Sequence, residues 1–160
     1  MRGSDEHYNF RAGFTVECIF GGYLLGVRSD EFICFYDWEK GTLVRRIDAC
    51  PKQVYWSDSG NSVALVLDDR FYYLRFDKDA IGTTEPDEEE GYEDAFIVED
   101  EIVETVTSAM WLSECFIFTN DTNKLNYYIG GKVLSILNLE NKMHILGYVP
   151  GQSKLYLIDN

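Results

Sequence analysis

A repeated unit constrains the fold of this chain more than any other feature of its sequence. An aromatic residue recurs just before a turn and a new apolar strand, at intervals of 36, 55 and 37 residues. The four positions are Phe20, Trp56, Trp111 and Tyr148. Removing an acidic insertion of roughly 15 to 18 residues brings the middle interval close to about 40, the period of a four-stranded propeller blade. We therefore predict that these aromatic residues fill the space between neighbouring blades.

Short apolar runs between turn residues predict the elements of each repeat. Runs rich in Val, Ile, Tyr and Phe are cut by Gly, Asp, Asn and Ser about every 8 to 12 residues, as in a sandwich, barrel or propeller. The predicted strands are 23–27, 32–36, 43–47, 54–56, 62–67, 71–76, 115–118, 125–129, 133–137, 145–148 and 154–158. Residues 95–98 and 102–103 fit a short helix or a strand, and the pattern does not decide between them.

The period favours a propeller, and the length limits how much of one is present. A closed seven-bladed ring needs about 280 residues at about 40 per blade. The 160 residues therefore predict an all-β, WD40-like partial β-propeller of three to four four-stranded antiparallel blades. Residues 1–4 resemble the leader of an expression tag, and residues 5–160 are predicted to form the propeller domain, with the insertion at about 77–94. We expect an excised fragment or an unusually short form, whose end sheets lack neighbours.

The net charge of −14 arises in one segment of the chain. Between Asp79 and Asp121 there are fourteen acidic residues and no Lys or Arg, and the remainder is balanced. Such a charge repels nucleic acids and anionic lipid headgroups, so we predict no nucleic-acid partner.

The most acidic part of the insertion, residues 85–91, has the composition of a solvated loop. We expect it to project from a blade edge without a fixed conformation, with docking of a partner as the alternative. Its spacing lacks the alternating oxygen ligands of a calcium loop. The acidic residues available for docking are Glu85, Asp87, Glu88, Glu89, Glu90, Glu93 and Asp94.

The sequence predicts no enzyme, cofactor site or metal site. Only His7 and His144 are present, and Cys18, Cys34, Cys50 and Cys115 form no C-x-x-C pair. Nucleophile-elbow, dinucleotide and P-loop glycine motifs are absent from the sequence. We expect reduced, mostly buried cysteines, no signal peptide, and no apolar run near the roughly 18 to 20 residues that span a bilayer.

Several strings in this sequence carry a family resemblance. They occupy 20–29, 35–38, 43–47, 56–60, 93–96, 125–131 and 146–150, and include FGGYLLGVRS, FYDW, LVRRI, WSDSG, LNYYIGG and LGYVP. From about Phe14 to Asp159 the chain resembles the second propeller of the beta-prime subunits of coatomer, the coat of Golgi-derived vesicles. The acidic run is richer than the family leads us to expect.

The resemblance implies a structural role. Family members have two N-terminal WD40-type propellers and a helical solenoid, and they build the coat that moves proteins from Golgi to endoplasmic reticulum and between Golgi cisternae. Dilysine cargo signals are recognised mainly by the first propeller, so no cargo-binding residue is assigned here. The implied partners are other coatomer subunits and the rest of the same chain.

The same resemblance implies a cytoplasmic location on Golgi membranes and coated vesicles, peripheral to the membrane and without insertion. The uncovered end sheets predict self-association of the isolated fragment. The alternative is a generic propeller-type interaction module of another cytosolic complex, with the acidic segment as its main ligand site.

Overall fold

Fourteen strands make up nearly all the regular structure in the computed structural model, which describes residues 13–83, 85–149 and 154–159. Sheet one contains β1 (Cys18–Phe20), β2 (Leu25–Arg28), β3 (Ile33–Tyr36) and β4 (Leu43–Ile47). Sheet two contains β5 (Gln53–Trp56), β6 (Ser62–Val66), β7 (Phe71–Phe76) and β8 (Phe96–Ile102). Sheet three contains β9 (Val106–Leu112), β10 (Cys115–Asn120), β11 (Lys124–Ile129) and β12 (Lys132–Asn138), and sheet four contains β13 (Met143–Val149) and β14 (Lys154–Asp159).

Strand order in every sheet follows chain order, so each sheet is an antiparallel meander. Three sheets have four strands, and the fourth has two within the described residues. The predicted all-β, partial-propeller fold is confirmed. The undecided stretch after the insertion is a short 3₁₀ turn, Glu93–Ala95, followed by β8.

Two strands were not predicted. The first, β1, has only three residues, none of them fully buried. The second, β9, has the sequence VTSAMWL, whose polar and small residues do not form the apolar run expected of a strand. It forms because it pairs with β10 along its full length, with Phe116 opposite Trp111 and Phe118 opposite Ala109. Pairing with a deeply buried neighbour outweighs the weak local preference of this strand.

The chain divides into two compact units. The first unit consists of the described residues up to Pro51 together with Asp77–Phe96, and contains sheet one and the acidic insertion. Its core includes Ile33, Phe35, Val44 and Ala95, all 0–1% exposed. The Phe35 ring stacks on Phe96 at a centroid distance of 5.0 Å, which fixes the end of the insertion to the middle of the sheet.

The second unit consists of Lys52–Phe76 and the described residues from Ile97 onwards, and contains sheets two, three and four. Phe71 of sheet two contacts Phe116 and Phe118 of sheet three at centroid distances of 5.2 and 5.3 Å. Tyr73 packs on Tyr128 at 4.7 Å. Sheets two and three therefore share an aromatic core, as expected when each sheet buries its face against a neighbour.

Among the described residues, no helix has the length and apolar character needed to cross a membrane.

Candidate functional site

The acidic insertion of the first unit is held against the outer strand of sheet one. The Arg46 N–H donates to the Glu90 carbonyl at 2.9 Å, and the Tyr92 N–H donates to the Val44 carbonyl at 2.7 Å. These bonds flank an antiparallel bridge between Arg45 and Gly91. The insertion therefore pairs with β4 through one residue, Gly91, as a minimal fifth strand that covers part of the otherwise open edge of β4.

The local sequence explains why residues 87–91, which we call the acidic turn, fold into a tight hairpin. The Asp87 carboxylate accepts the backbone N–H groups of Glu89 and Glu90 at 2.8 and 3.0 Å, as an aspartate does in an Asx turn. Asp87 and Gly91 exchange two backbone hydrogen bonds of 2.9 Å. The N–H groups of Glu89 and Glu90 lower the pKa of Asp87, so this carboxylate holds its charge.

Gly91 makes the close approach to β4 possible. Its φ is +81°, a left-handed conformation that favours glycine. A Cβ on this residue would lie 2.4 Å from the Val44 carbonyl oxygen and 2.7 Å from the Val44 carbonyl carbon. Both the backbone angle and the missing side chain therefore match this position to glycine.

The base of the insertion is closed as well. The Asp77 N–H donates to the Ala95 carbonyl at 2.8 Å, so the two ends of the insertion meet. Glu93 and Asp94 lie in the 3₁₀ turn that carries Ala95, 0% exposed, into the core. The seven acidic side chains proposed for docking are all exposed: Glu85, Asp87, Glu88, Glu89, Glu90, Glu93 and Asp94.

The expectation of a solvated loop without fixed conformation is therefore wrong for the backbone. Composition correctly indicates that the carboxylates face water. It does not reveal that backbone N–H and C=O groups, which every residue carries, pair with an uncovered strand edge. The pattern Pro86-Asp87 followed by Gly91 was the available sequence signal, because it is typical of a specific turn.

A groove of about 450 Å³ lies beside the acidic turn in the first unit. Its walls include Phe32, Cys34, Arg46, Glu88 and Glu89. The Arg46 guanidinium lies 4.2 Å from the centre of the Phe32 ring and also bonds the Asp48 carboxylate at 3.3 Å. The groove thus places two carboxylates near a cation that already has partners.

Burial holds two titratable groups of this groove, Cys34 and Tyr36, in their uncharged forms by raising the pKa of each. Burial raises the pKa of the Cys34 thiol, which keeps it protonated and poorly nucleophilic at neutral pH. Burial, followed by the influence of Cys34, raises the pKa of Tyr36 to about 12. The four cysteines are free thiols, and of these only Cys34 is fully buried, whereas we expected most of them to be.

The four repeat aromatics occupy matching positions. Phe20, Trp56, Trp111 and Tyr148 each lie in the first strand of their sheet, at or near its end. Trp111 is buried at 5% exposure, and its indole N–H donates to the Tyr55 carbonyl at 2.9 Å. Trp56 is only partly buried and packs edge-on against Phe76 at 5.6 Å. Phe20 and Tyr148 are also partly buried.

Within the part of the chain that the structure describes, no group of three or more His, Cys, Asp or Glu side chains is placed to hold a metal ion. His144 is a partly buried residue of β13, and His7 lies outside the described residues.

Consecutive four-stranded meanders with a shared aromatic core define the class of this chain as a partial β-propeller. The family described as COPA/B second beta-propeller matches residues 1–159, and the chain belongs to that family. The resemblance found in the sequence strings is confirmed.

Curated relatives agree with this assignment. The chain is 43% identical over 158 residues to coatomer subunit beta' of Rattus norvegicus, covering 96% of this chain and 18% of the relative. It is 42% identical to coatomer subunit beta' of Homo sapiens and 44% identical to coatomer subunit beta'-2 of Arabidopsis thaliana, over 158 residues each. Each match covers 96% of this chain and 17% of the relative. The chain thus spans less than a fifth of the length of these relatives.

Proposed function

We propose that this chain is a structural scaffold segment of a coatomer coat subunit, acting in protein transport between Golgi and endoplasmic reticulum and within the Golgi. The observation that carries the proposal is the family match over residues 1–159, together with 42–44% identity to coatomer beta' subunits of two animals and a plant. On this proposal the chain works in the cytoplasm, peripheral to the membrane through the coat. Its partners are other coatomer subunits and the rest of its own chain.

Rigidity of the second unit supports a mechanism based on shape. The core shared by sheets two and three has eight buried residues, four of which are Phe or Trp. Large aromatic contacts of this kind resist sliding because every ring is enclosed by others. The hydrogen bond from Trp111 to Tyr55 joins the first strands of the two sheets, and the Ile145 N–H donates to the Ser108 hydroxyl at 2.9 Å. A scaffold needs such a fixed relation between successive sheets, whereas an enzyme needs activated groups in a cleft.

A chimera tests the scaffold function directly. The matching 158 residues of the Rattus norvegicus subunit are replaced by this segment, and co-purification with the other coatomer subunits is measured. We expect the chimera to assemble as the parent does. The control carries Phe116→Asp in addition, which places a charge in the aromatic core and should abolish assembly. A soluble, protease-resistant chimera that leaves the other subunits unbound would contradict the proposal.

The acidic turn supports a second, more general candidate function as an interaction module. Its carboxylates are exposed, and its backbone is fixed by two bonds to β4. A fixed array loses less conformational entropy on binding a basic partner than a mobile loop does. Replacing Glu88, Glu89 and Glu90 with Gln retains these backbone bonds. Unchanged binding of a basic coatomer partner by that variant, at low salt, would exclude this role.

We also propose that the isolated chain self-associates through the last strands of the second unit. Exposed apolar side chains lie on these strands: Leu134, Ile136 and Leu137 on β12, Leu146 on β13 and Ile158 on β14. Surfaces of this kind are rarely left bare, and in the longer protein the rest of the chain would cover them. Sedimentation velocity should show a concentration-dependent species that Ile136→Glu removes. Val103→Glu, at a residue that is 72% exposed elsewhere in the unit, is the control. Monomer at all concentrations would contradict the proposal.

A further inference from the structure

A second cavity, distinct from the acidic turn, lies in the second unit where the first strands of three consecutive sheets begin. It measures about 380 Å³. Each sheet contributes residues at the start of its first strand, so equivalent positions of three successive repeats line the cavity. Its lining residues are Lys52, Gln53, Tyr55, Val66, Thr105, Val106, Thr107, Lys142 and His144.

The charge of this cavity is opposite to that of the chain. Two lysines and a histidine line it, and none of its lining residues is Asp or Glu, although the chain has 28 acidic residues. Neither Lys52 nor Lys142 forms an ion pair with a carboxylate of the described residues. Glu104, next to the lining residue Thr105, accepts a hydrogen bond from the Asn120 amide at 3.0 Å. Glu140, two residues from Lys142, is exposed and forms no ion pair among the described residues. The two ammonium groups are therefore available to an external anion.

The framework around these cations is fixed. The Lys52 N–H donates to the Val66 carbonyl at 2.7 Å, which holds the backbone that carries this lysine. The Thr107 hydroxyl bonds the Thr119 hydroxyl at 2.7 Å, and the Asp121 N–H donates to the Thr105 carbonyl at 3.2 Å. Val66 and Val106 are buried at 1% and 3% exposure. The cavity thus combines exposed cations with a partly exposed lining of Tyr55, Thr105 and Thr107, which lies over the buried Val66 and Val106.

We propose that this cavity binds an acidic peptide segment of a partner protein. An acidic peptide fits this lining, because a carboxylate can meet Lys52 and Lys142 while a neighbouring group of the peptide contacts the partly exposed Tyr55 ring. A volume of about 380 Å³ lies within the roughly 300–1,000 Å³ of ligand clefts. A single phosphate ion would leave most of this volume empty and the Tyr55 ring uncovered, so the volume and the lining favour a peptide.

The test is a titration of the whole chain with a fluorescent, capped peptide of alternating Leu and Glu, at about 0.15 M salt, where distant charges are screened. The matched probe has Gln in place of Glu. We expect saturable binding of the Glu peptide only. The double variant Lys52→Glu/Lys142→Glu should weaken binding at least tenfold, because it reverses both charges that meet the ligand.

The control variant is Lys124→Glu/Lys132→Glu, which changes net charge by the same amount at two exposed lysines of the same unit. It should shift the affinity by less than twofold. Equal losses in the two double variants would show a general charge effect and overturn the proposal. Equal binding of Glu and Gln probes, or no saturable binding at millimolar peptide, would also overturn it. Full displacement of the peptide by an equal concentration of inorganic phosphate would assign the site to small anions instead.

Discussion

Replacing Gly91 with alanine tests whether the acidic turn is part of the folded structure. The new Cβ would meet the Val44 carbonyl oxygen at 2.4 Å, well inside contact distance, and the residue would keep a φ of +81°. Val44 is the bulged residue between Leu43 and Arg45, both of which pair with β3, and its carbonyl accepts the Tyr92 N–H at 2.7 Å. We therefore expect the turn to detach from β4 rather than to compress against it.

Detachment of the acidic turn from β4 determines how much stability Gly91→Ala should lose. It removes the hydrogen bonds from Arg46 to Glu90 and from Tyr92 to Val44. At about 0.5–1.5 kcal/mol for each bond, the loss is about 1–3 kcal/mol. A direct clash would cost more than this, but the chain avoids it by opening the turn. The left-handed conformation adds about 1–2 kcal/mol only while the turn stays closed.

Urea denaturation followed by tryptophan fluorescence measures the loss, and Gly82→Ala is its matched control. Gly82 lies in the same insertion with a φ of +88°, but a Cβ there would have no atom within 4 Å. The control therefore reports the backbone penalty alone, whereas Gly91→Ala also loses the contacts to β4. Hydrogen exchange of the Arg46 and Tyr92 amides should speed up in Gly91→Ala only. Equal stability of the two variants, with protected amides in both, would refute the reasoning.

Two further predictions concern buried contacts and pH. In urea titrations, Trp111→Ala should lower the free energy of unfolding by about 3–5 kcal/mol. Replacing Trp56, which is less completely buried, with alanine should cost less, and equal losses would show that the two aromatics are equally enclosed. Because backbone N–H groups lower the pKa of Asp87, its stabilising effect is full above the usual carboxyl range and is lost as pH falls through its folded pKa. The stability difference between the parent and Asp87→Ala should therefore shrink below about pH 4, and a difference that persists to about pH 2 would contradict this.

Much of the fold could be predicted from the sequence, because several apolar runs have the same bounds as the strands that pair in the structure. The runs 43–47 and 71–76 match β4 and β7 at both ends. The period of the aromatics predicted that Phe20, Trp56, Trp111 and Tyr148 are equivalent residues of the repeat, and the structure places each of them in the first strand of its sheet. By contrast, β9 depends on pairing with residues of β10 that lie 3–14 positions further along the chain, and the residues of β9 themselves do not reveal that pairing.

The contact of the acidic turn with β4 and the cavity of the second unit could not be predicted from the sequence. The contact between Gly91 and Val44 joins backbone groups 47 residues apart, and composition carries no information about such pairing. The cavity lined by Lys52 and Lys142 unites residues 90 positions apart, each of which is an ordinary exposed lysine when considered alone. Only the stacking of sheets brings them to one place. The acidic residues were easier to assign, because their exposure follows from their charge.

The fifth strand added to β4 has a consequence for how this segment tolerates change over evolutionary time. Only Gly91 and the backbone bonds on either side of it are committed to the strand edge. The tip of the hairpin can therefore gain, lose or exchange acidic residues without uncovering the edge to strands of other molecules. The residues that set the surface charge, at the tip of the hairpin, are therefore different from the residues that hold the hairpin against β4. A segment built this way can acquire new surface chemistry at one position while its fold remains constant.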